Sequence, residues 1–156
     1  MYSLNWFNNP RLFRRLVNLW PPMLGAGISV THISDDWMQS EVRMKLRFYN
    51  RNFVGTHFGG SLFAMTDMMY MLMLLHHIGK DYWVWDKSAD IEFVKPGRGV
   101  VFARFQLDRT LIERIMREAS IKQKHFEPVK VEIRSGDGEL VAHVNRMIYV
   151  RKKPAA

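Results

Sequence analysis

The fold of this chain turns on residues Gly59 to Ile78, which read GGSLFAMTDMMYMLMLLHHI. Leu62, Phe63, Ala64, Met65, Met68, Met69, Tyr70, Met71, Leu72, Met73, Leu74 and Leu75 leave no polar stripe at either the strand or the helix period. Twenty residues exceed a usual strand, so the segment reads as a helix, and a helix that is apolar all round must be buried on nearly every side. Its longest unbroken apolar run, Met68 to Leu75, is bracketed by Asp67 and by His76-His77. That run is too short to cross a bilayer core, so the expectation is a soluble protein without a transmembrane segment.

The segments around this helix alternate with period two. Val42, Met44, Leu46 and Phe48 alternate with Arg43, Lys45 and Arg47, and Ala89, Ile91 and Phe93 with Asp90 and Glu92. The same pattern runs through Val101, Ala103, Phe105 and Leu107, and through Val129, Val131 and Ile133. These are strands with one wet face, hence an antiparallel sheet. Ser135-Gly136-Asp137-Gly138 has hairpin-turn chemistry before a last strand from Glu139 to Val150, and an earlier strand is expected over Ile28 to Ile33. A second helix fits Leu111 to Lys124, a segment that could also continue a strand. For one-faced strands and one wholly apolar helix, the economical packing is an antiparallel sheet curled around a long central helix. That is the hotdog architecture, an α+β fold.

The chain has 156 residues without repeats or linkers, which suits a single hotdog domain over 1–156. Asn9-Pro10 opens a basic amphipathic helix at 9–20, with Leu12, Phe13, Leu16, Val17 and Trp20 on one side, Arg11, Arg14 and Arg15 on the other, and Pro21-Pro22 as its end. Its arginines could touch a membrane, but a solvated face on a docked helix is the commoner arrangement. There is no cysteine, which excludes disulfides, thiolate metal sites and a cysteine nucleophile and is compatible with a reducing cytosol. Met1 to Asn9 lacks a basic start followed by an apolar stretch, so no secretory signal is read there and a cytoplasmic location is expected. The formal charge of +8 calls for a polyanionic partner. The cations are dispersed through strands rather than gathered in a recognised motif, which disfavours nucleic acid.

Asp67 is the most informative single residue. On a helix its neighbours three and four positions away are Phe63, Ala64, Tyr70 and Met71, so its carboxylate is expected to be buried, with a pKa raised toward the range of a general base. The structural alternative is a buried Asp tied to backbone N–H groups or to an arginine. Upstream, Gly55-Thr56-His57-Phe58-Gly59-Gly60-Ser61 enters the helix through glycines, which let a ligand approach first-turn N–H groups and would polarise a carbonyl there. The plain alternative is a tight turn with Ser61 as a cap.

Taken together, Asn52-x-x-Gly55-Thr56-x-x-Gly59-Gly60-x-Leu62-Phe63-x-x-x-Asp67 resembles the signature of hotdog-fold acyl-CoA thioesterases, particularly the phenylacetate-degradation type. The resemblance implies hydrolysis of an acyl thioester on CoA or acyl carrier protein, with no metal and no cofactor beyond the substrate's own CoA. It also implies a homo-oligomer, dimer or tetramer, with sites between subunits whose sheets pair side by side. Gly60, with Gly59, would polarise the carbonyl, Asp67 of the partner subunit would be base or nucleophile, and Asn52 would position substrate or water. Ser61 and Thr66 fall among the substrate-contacting positions, and Lys95 and Arg98 would meet CoA phosphates. The family has His immediately before the glycine pair, where this chain has Phe58, with His57 one place earlier. On extended backbone that shift turns the side chain the other way, so His57 is either catalytic or a loop residue bonded to backbone.

Two other functions stay open. Gly55-Thr56-His57-Phe58-x-Gly60 is also similar to the Gly-His-Phe-x-Gly stretch of β-hydroxyacyl carrier-protein dehydratases, in which His57 would be the base, although the glycine-proline run of that family is missing. A non-catalytic acyl-CoA binder is the other. Adjacent His76 and His77 point about 100° apart and do not make a metal pair, but suit a helix C-terminus as cations. Met68, Met69, Met71 and Met73 either pack the core or line an acyl tunnel.

Overall fold

The computed structural model describes residues 9–154; the leading segment read above for its lack of a secretory signal lies outside them, apart from Asn9. Asn9 caps the first helix, α1 (Pro10–Val17), by accepting from the Leu12 N–H. Pro21-Pro22 does more than stop that pattern. Proline's fixed φ suits a first helical turn, and α2 (Pro21–Ala26) starts there and ends on Gly27 at φ 71°. Two strands follow, β1 (Ile28–Ile33) and β2 (Gln39–Lys45), then α3 (Gly59–Ala64), α4 (Met69–Ile78), β3 (Tyr82–Phe93), β4 (Val100–Gln106), α5 (Arg109–Lys122), β5 (Lys124–Ser135) and β6 (Leu140–Lys152). The ambiguous segment is therefore helical, and Asp108 caps α5 through the Leu111 N–H.

All strand pairings are antiparallel, in the order β1-β2-β4-β5-β6-β3. The alternation sets the faces. Val42, Met44, Val101, Ala103, Phe105, Val131, Ile133, Val144, Ile148 and Val150 turn inward and are buried, whereas Phe93 and Phe48 stay exposed.

The expected sheet curled around a long helix is corrected in its sheet, while the long helix is present in bent form, as α3 and α4. The sheet is open, neither closed nor strongly curled, with β1 and β3 as its edges. The helix is broken in two over residues 65–68. Its apolar surface is covered without a wrapping sheet: the sheet takes one side of α4, α5 another, and Trp37 a third, by stacking on His76 at 5.0 Å while Phe13 of α1 meets the Trp37 ring edge-on. His76 is thereby desolvated and its pKa falls below 6.5, which favours the neutral ring over the cation expected at this helix end. Met69 and Met73 are buried in the core.

Candidate active site

The segment between β2 and α3 is built around two asparagines. Asn50 is buried, and its amide Nδ2 donates to the carbonyls of Ala26 and Lys45, both at 3.0 Å, while its Oδ1 accepts from the Arg47 N–H at 2.7 Å. Asn52 closes the following turn: Oδ1 accepts from the Val54 and Thr56 N–H groups, and Nδ2 donates to Thr56 Oγ1 at 2.9 Å and to the His57 carbonyl at 3.3 Å. Because the buried Asn50 side chain satisfies three backbone groups at once, Asn50→Ala is expected to cost about 1–3 kcal/mol, measured as a lowered urea midpoint.

This loop faces the β3–β4 connection across a cleft of about 520 Å³, lined among others by Asn52, His57, Gly59, Leu62, Phe93 and Arg98. Lys95 also lines it, but its ammonium is engaged with Glu139 at 2.6 Å, a carboxylate that raises the Lys95 pKa above 10.5. Arg98 has no ion pair among the described residues. The glycine pair enters α3 at the cleft, where a side chain at either position would have to displace an exposed phenylalanine ring. A Cβ on Gly59 would stand 2.9 Å from the Phe93 ring, and one on Gly60 2.5 Å from the Phe58 ring. Gly60, Ser61, Thr66 and Asp67 do not line the cleft.

His57 is 2% exposed, with Nε2 at 3.3 Å from the Gly99 carbonyl and Nδ1 buried without a partner among the described residues. Burial lowers its pKa below 6.5, so the folded state holds it neutral. A depressed histidine pKa means that the unfolded chain binds the extra proton first. Stability is therefore lost as pH falls below 6.5, and His57→Gln is expected to flatten that acid slope in urea titrations between pH 7 and pH 5.

Asp67 stands in the helix break. Thr66 Oγ1 donates to the Phe63 carbonyl at 2.8 Å, and Arg146 Nη2 donates to the same carbonyl at 3.3 Å. The Thr66 N–H bonds to that carbonyl as well and the Asp67 N–H to the Ala64 carbonyl, both three residues back, so the helix tightens and stops. Arg146 is the hub. Its side chain, on the inner face of β6, is 1% exposed; it donates to Thr66 Oγ1 at 3.0 Å, to Asp67 Oδ1 at 3.1 Å and to Asp86 Oδ2 of β3, and it lies over the Phe63 ring. Burial raises the Asp86 pKa above 3.8, against the pull of Arg146. The Asp67 side chain is 66% exposed, so the expected buried carboxylate is corrected; the arginine partner of the structural alternative is what the fold supplies.

Arg146 and Asp86 were not among the sequence candidates. Their signal is the one used for Asp67, a charge interrupting an apolar face: Ala142, Val144, Arg146, Ile148 and Val150 share one side of β6, and Val84 and Asp86 one side of β3. Among the described residues no group of three or more His, Cys, Asp or Glu is placed to hold a metal, and no helix is long and apolar enough to cross a membrane.

The fold is shared with several solved structures. A protein of unknown function from Pseudomonas aeruginosa described as a probable thioesterase superposes with a TM-score of 0.81 at 20% identity, over 91% of this chain and 95% of that one. A Haemophilus influenzae thioesterase gives a TM-score of 0.68 at 16% identity, over 92% and 91%. A mutant of the phenylacetic acid degradation protein PaaI from Thermus thermophilus gives 0.57 at 23%, over 83% and 97%. The chain itself belongs to the family described as Domain of unknown function (DUF4442), whose model matches residues 9–150. No curated protein matches it.

Proposed function

We propose that the protein hydrolyses an acyl thioester, carried on CoA or on an acyl carrier protein, at a site assembled from two copies of the chain. The observation that carries this reading is the convergence of Asn52, His57, Gly59 and Arg98 on one cleft beside the glycine entry of α3. The N–H groups of Gly59 and Gly60 donate to no acceptor among the described residues, which leaves them for a thioester carbonyl. Asp67 lies seven residues beyond Gly60, past the end of α3, and outside its own chain's cleft. A carboxylate this exposed is suited to reach the cleft of a second copy. The long edge strand β3 is suited to pair with the same strand of that copy.

In the reaction, Asp67 removes a proton from water, whose oxygen attacks the carbonyl carbon. The oxyanion is held by the glycine N–H groups and collapses to expel the thiolate, which takes up a proton as the carboxylic acid leaves. Asn52 organises the loop that carries His57, Ser61 is buried in the first turn of the helix behind the glycine pair, and Thr66 and Asp67 share Arg146 as donor. Arg98 and Lys95 meet the phosphates of the carrier.

Purified protein assayed on a panel of acyl-CoA esters with a thiol reagent is expected to turn over at least one of them and to sediment as a dimer or tetramer. No turnover on any chain length, or a monomer with full activity, would remove the reading. Neutral His57 in the cleft favours a second reading, hydration of an enoyl thioester with His57 as base. Crotonyl-CoA hydration that is lost in His57→Ala but kept in Asp67→Ala would establish it instead.

A further inference from the structure

The two N-terminal helices bury very little of their apolar surface. Phe13 and Val17 of α1 and Met23 of α2 enter the core, but Leu12, Leu16, Leu19, Trp20 and Leu24 remain between 41% and 67% exposed. The expectation of a docked helix with one apolar side is met by only two of its five residues.

The arrangement around α1 is ordered. Phe13 and Val17, four apart, form the row that packs on β1. Leu12 and Leu16 form the neighbouring row, turned about 100° from it, and Arg11 and Arg15 form the next. The exposed leucines thus lie between the buried seam and a line of guanidinium groups. Past the end of the helix, Leu19, Trp20 and Leu24 are exposed as well. Arg14 is drawn back to the Thr31 carbonyl at 3.1 Å, whereas Arg11 and Arg15 have no ion pair among the described residues. The sequence contains no Asp or Glu before Asp35, which lines the same surface recess as Arg11 and Arg14.

We propose that this face is a membrane-contact surface that lays α1 and α2 on an anionic phospholipid bilayer, with Leu12, Leu16, Leu19, Trp20 and Leu24 in the acyl boundary and Arg11 and Arg15 at the phosphate level. An apolar row edged by arginines, with a tryptophan at its end, is what an interfacial helix needs. The occupant is decided by charge. In a symmetric contact with a second copy the patch would meet itself, placing arginines against arginines with no acidic residue from the segment to offset them. Anionic headgroups supply the missing charge. This contact lies on the surface without spanning the bilayer, and it is independent of the thioesterase reading.

The test is co-sedimentation of the full chain with vesicles of phosphatidylcholine, with and without phosphatidylglycerol, at low and at physiological ionic strength. The wild type is expected to bind the anionic vesicles, to lose binding as salt rises, and to bind pure phosphatidylcholine far less. Arg11→Gln/Arg15→Gln and, separately, Leu16→Ser/Trp20→Ser should each weaken binding by about tenfold or more, with far-UV and near-UV circular dichroism unchanged. Since neither pair enters the core, at least one variant remains folded for comparison. Absence of binding to anionic vesicles at low salt, or equal binding by folded variants, overturns the proposal. So does a change in sedimentation coefficient of Leu16→Ser/Trp20→Ser without vesicle binding by the wild type, which would assign the patch to a second copy.

Discussion

Replacing Arg146 by alanine is expected to destabilise the protein by about 3–5 kcal/mol, the cost of removing one partner from a buried ion pair. The substitution strips the Phe63 carbonyl, Thr66 and Asp67 of a donor and leaves Asp86 without a counter-charge in a desolvated position. The pH dependence gives the effect a signature. Asp86 has a folded pKa raised above 3.8, so the fold prefers its protonated form, and the stability tied to that proton is lost as pH rises through the raised value. Without Arg146 that loss deepens, and the penalty of Arg146→Ala should be largest near neutral pH and shrink toward pH 4. Urea unfolding across this range measures it. A penalty under about 1 kcal/mol at pH 7 would show that Arg146 behaves as a surface ion pair despite its burial. The double variant Arg146→Met/Asp86→Leu should recover much of the loss, because an apolar replacement of a whole buried pair is often neutral.

Asp67→Asn should act in the opposite way, with turnover falling about 10²–10⁴-fold, the usual contribution of a positioned general base, and stability changing little. The side chain is largely exposed, so its pairing with Arg146 is worth no more than about 1 kcal/mol, and asparagine keeps its shape and its acceptor oxygen. The subunit arrangement can be tested with the same variant. Mixing Asp67→Asn with an inactive cleft variant such as Gly59→Val, then dissociating and reassociating them, should restore about a quarter of wild-type activity if each site draws Asp67 from one chain and the cleft from the other. No recovery from two folded variants would place both groups in one chain.

Much of this was legible in the residues. Strand positions follow from period-two alternation because one sheet face is dry and the other wet, and the inward sets through Val42, Ala103 and Ile133 are buried as that pattern requires. The loop from Asn52 to Gly59 was found through its glycines and polar side chains, and the structure brings it to the cleft with Arg98 and Lys95. The helix break was not legible. Thr66 and Asp67 sit in a run with strong helical character, and what ends the helix there is a guanidinium arriving from β6, 79 residues beyond Asp67.

The sequence by itself determined the α+β composition, the antiparallel sheet, and the glycine-led entry into an apolar helix, since each is set by local periodicity and backbone freedom. Whether the sheet wrapped that helix was decided only in three dimensions, because α5, Trp37 and α1 supply the cover that the sheet would otherwise have had to provide. Tertiary structure also decided the state of Asp67. Its helical neighbours predict burial, but the helix breaks where Arg146 and Thr66 meet the Phe63 carbonyl, the carboxylate there is 66% exposed, and a contact so distant along the chain as that of Arg146 leaves no trace in local sequence.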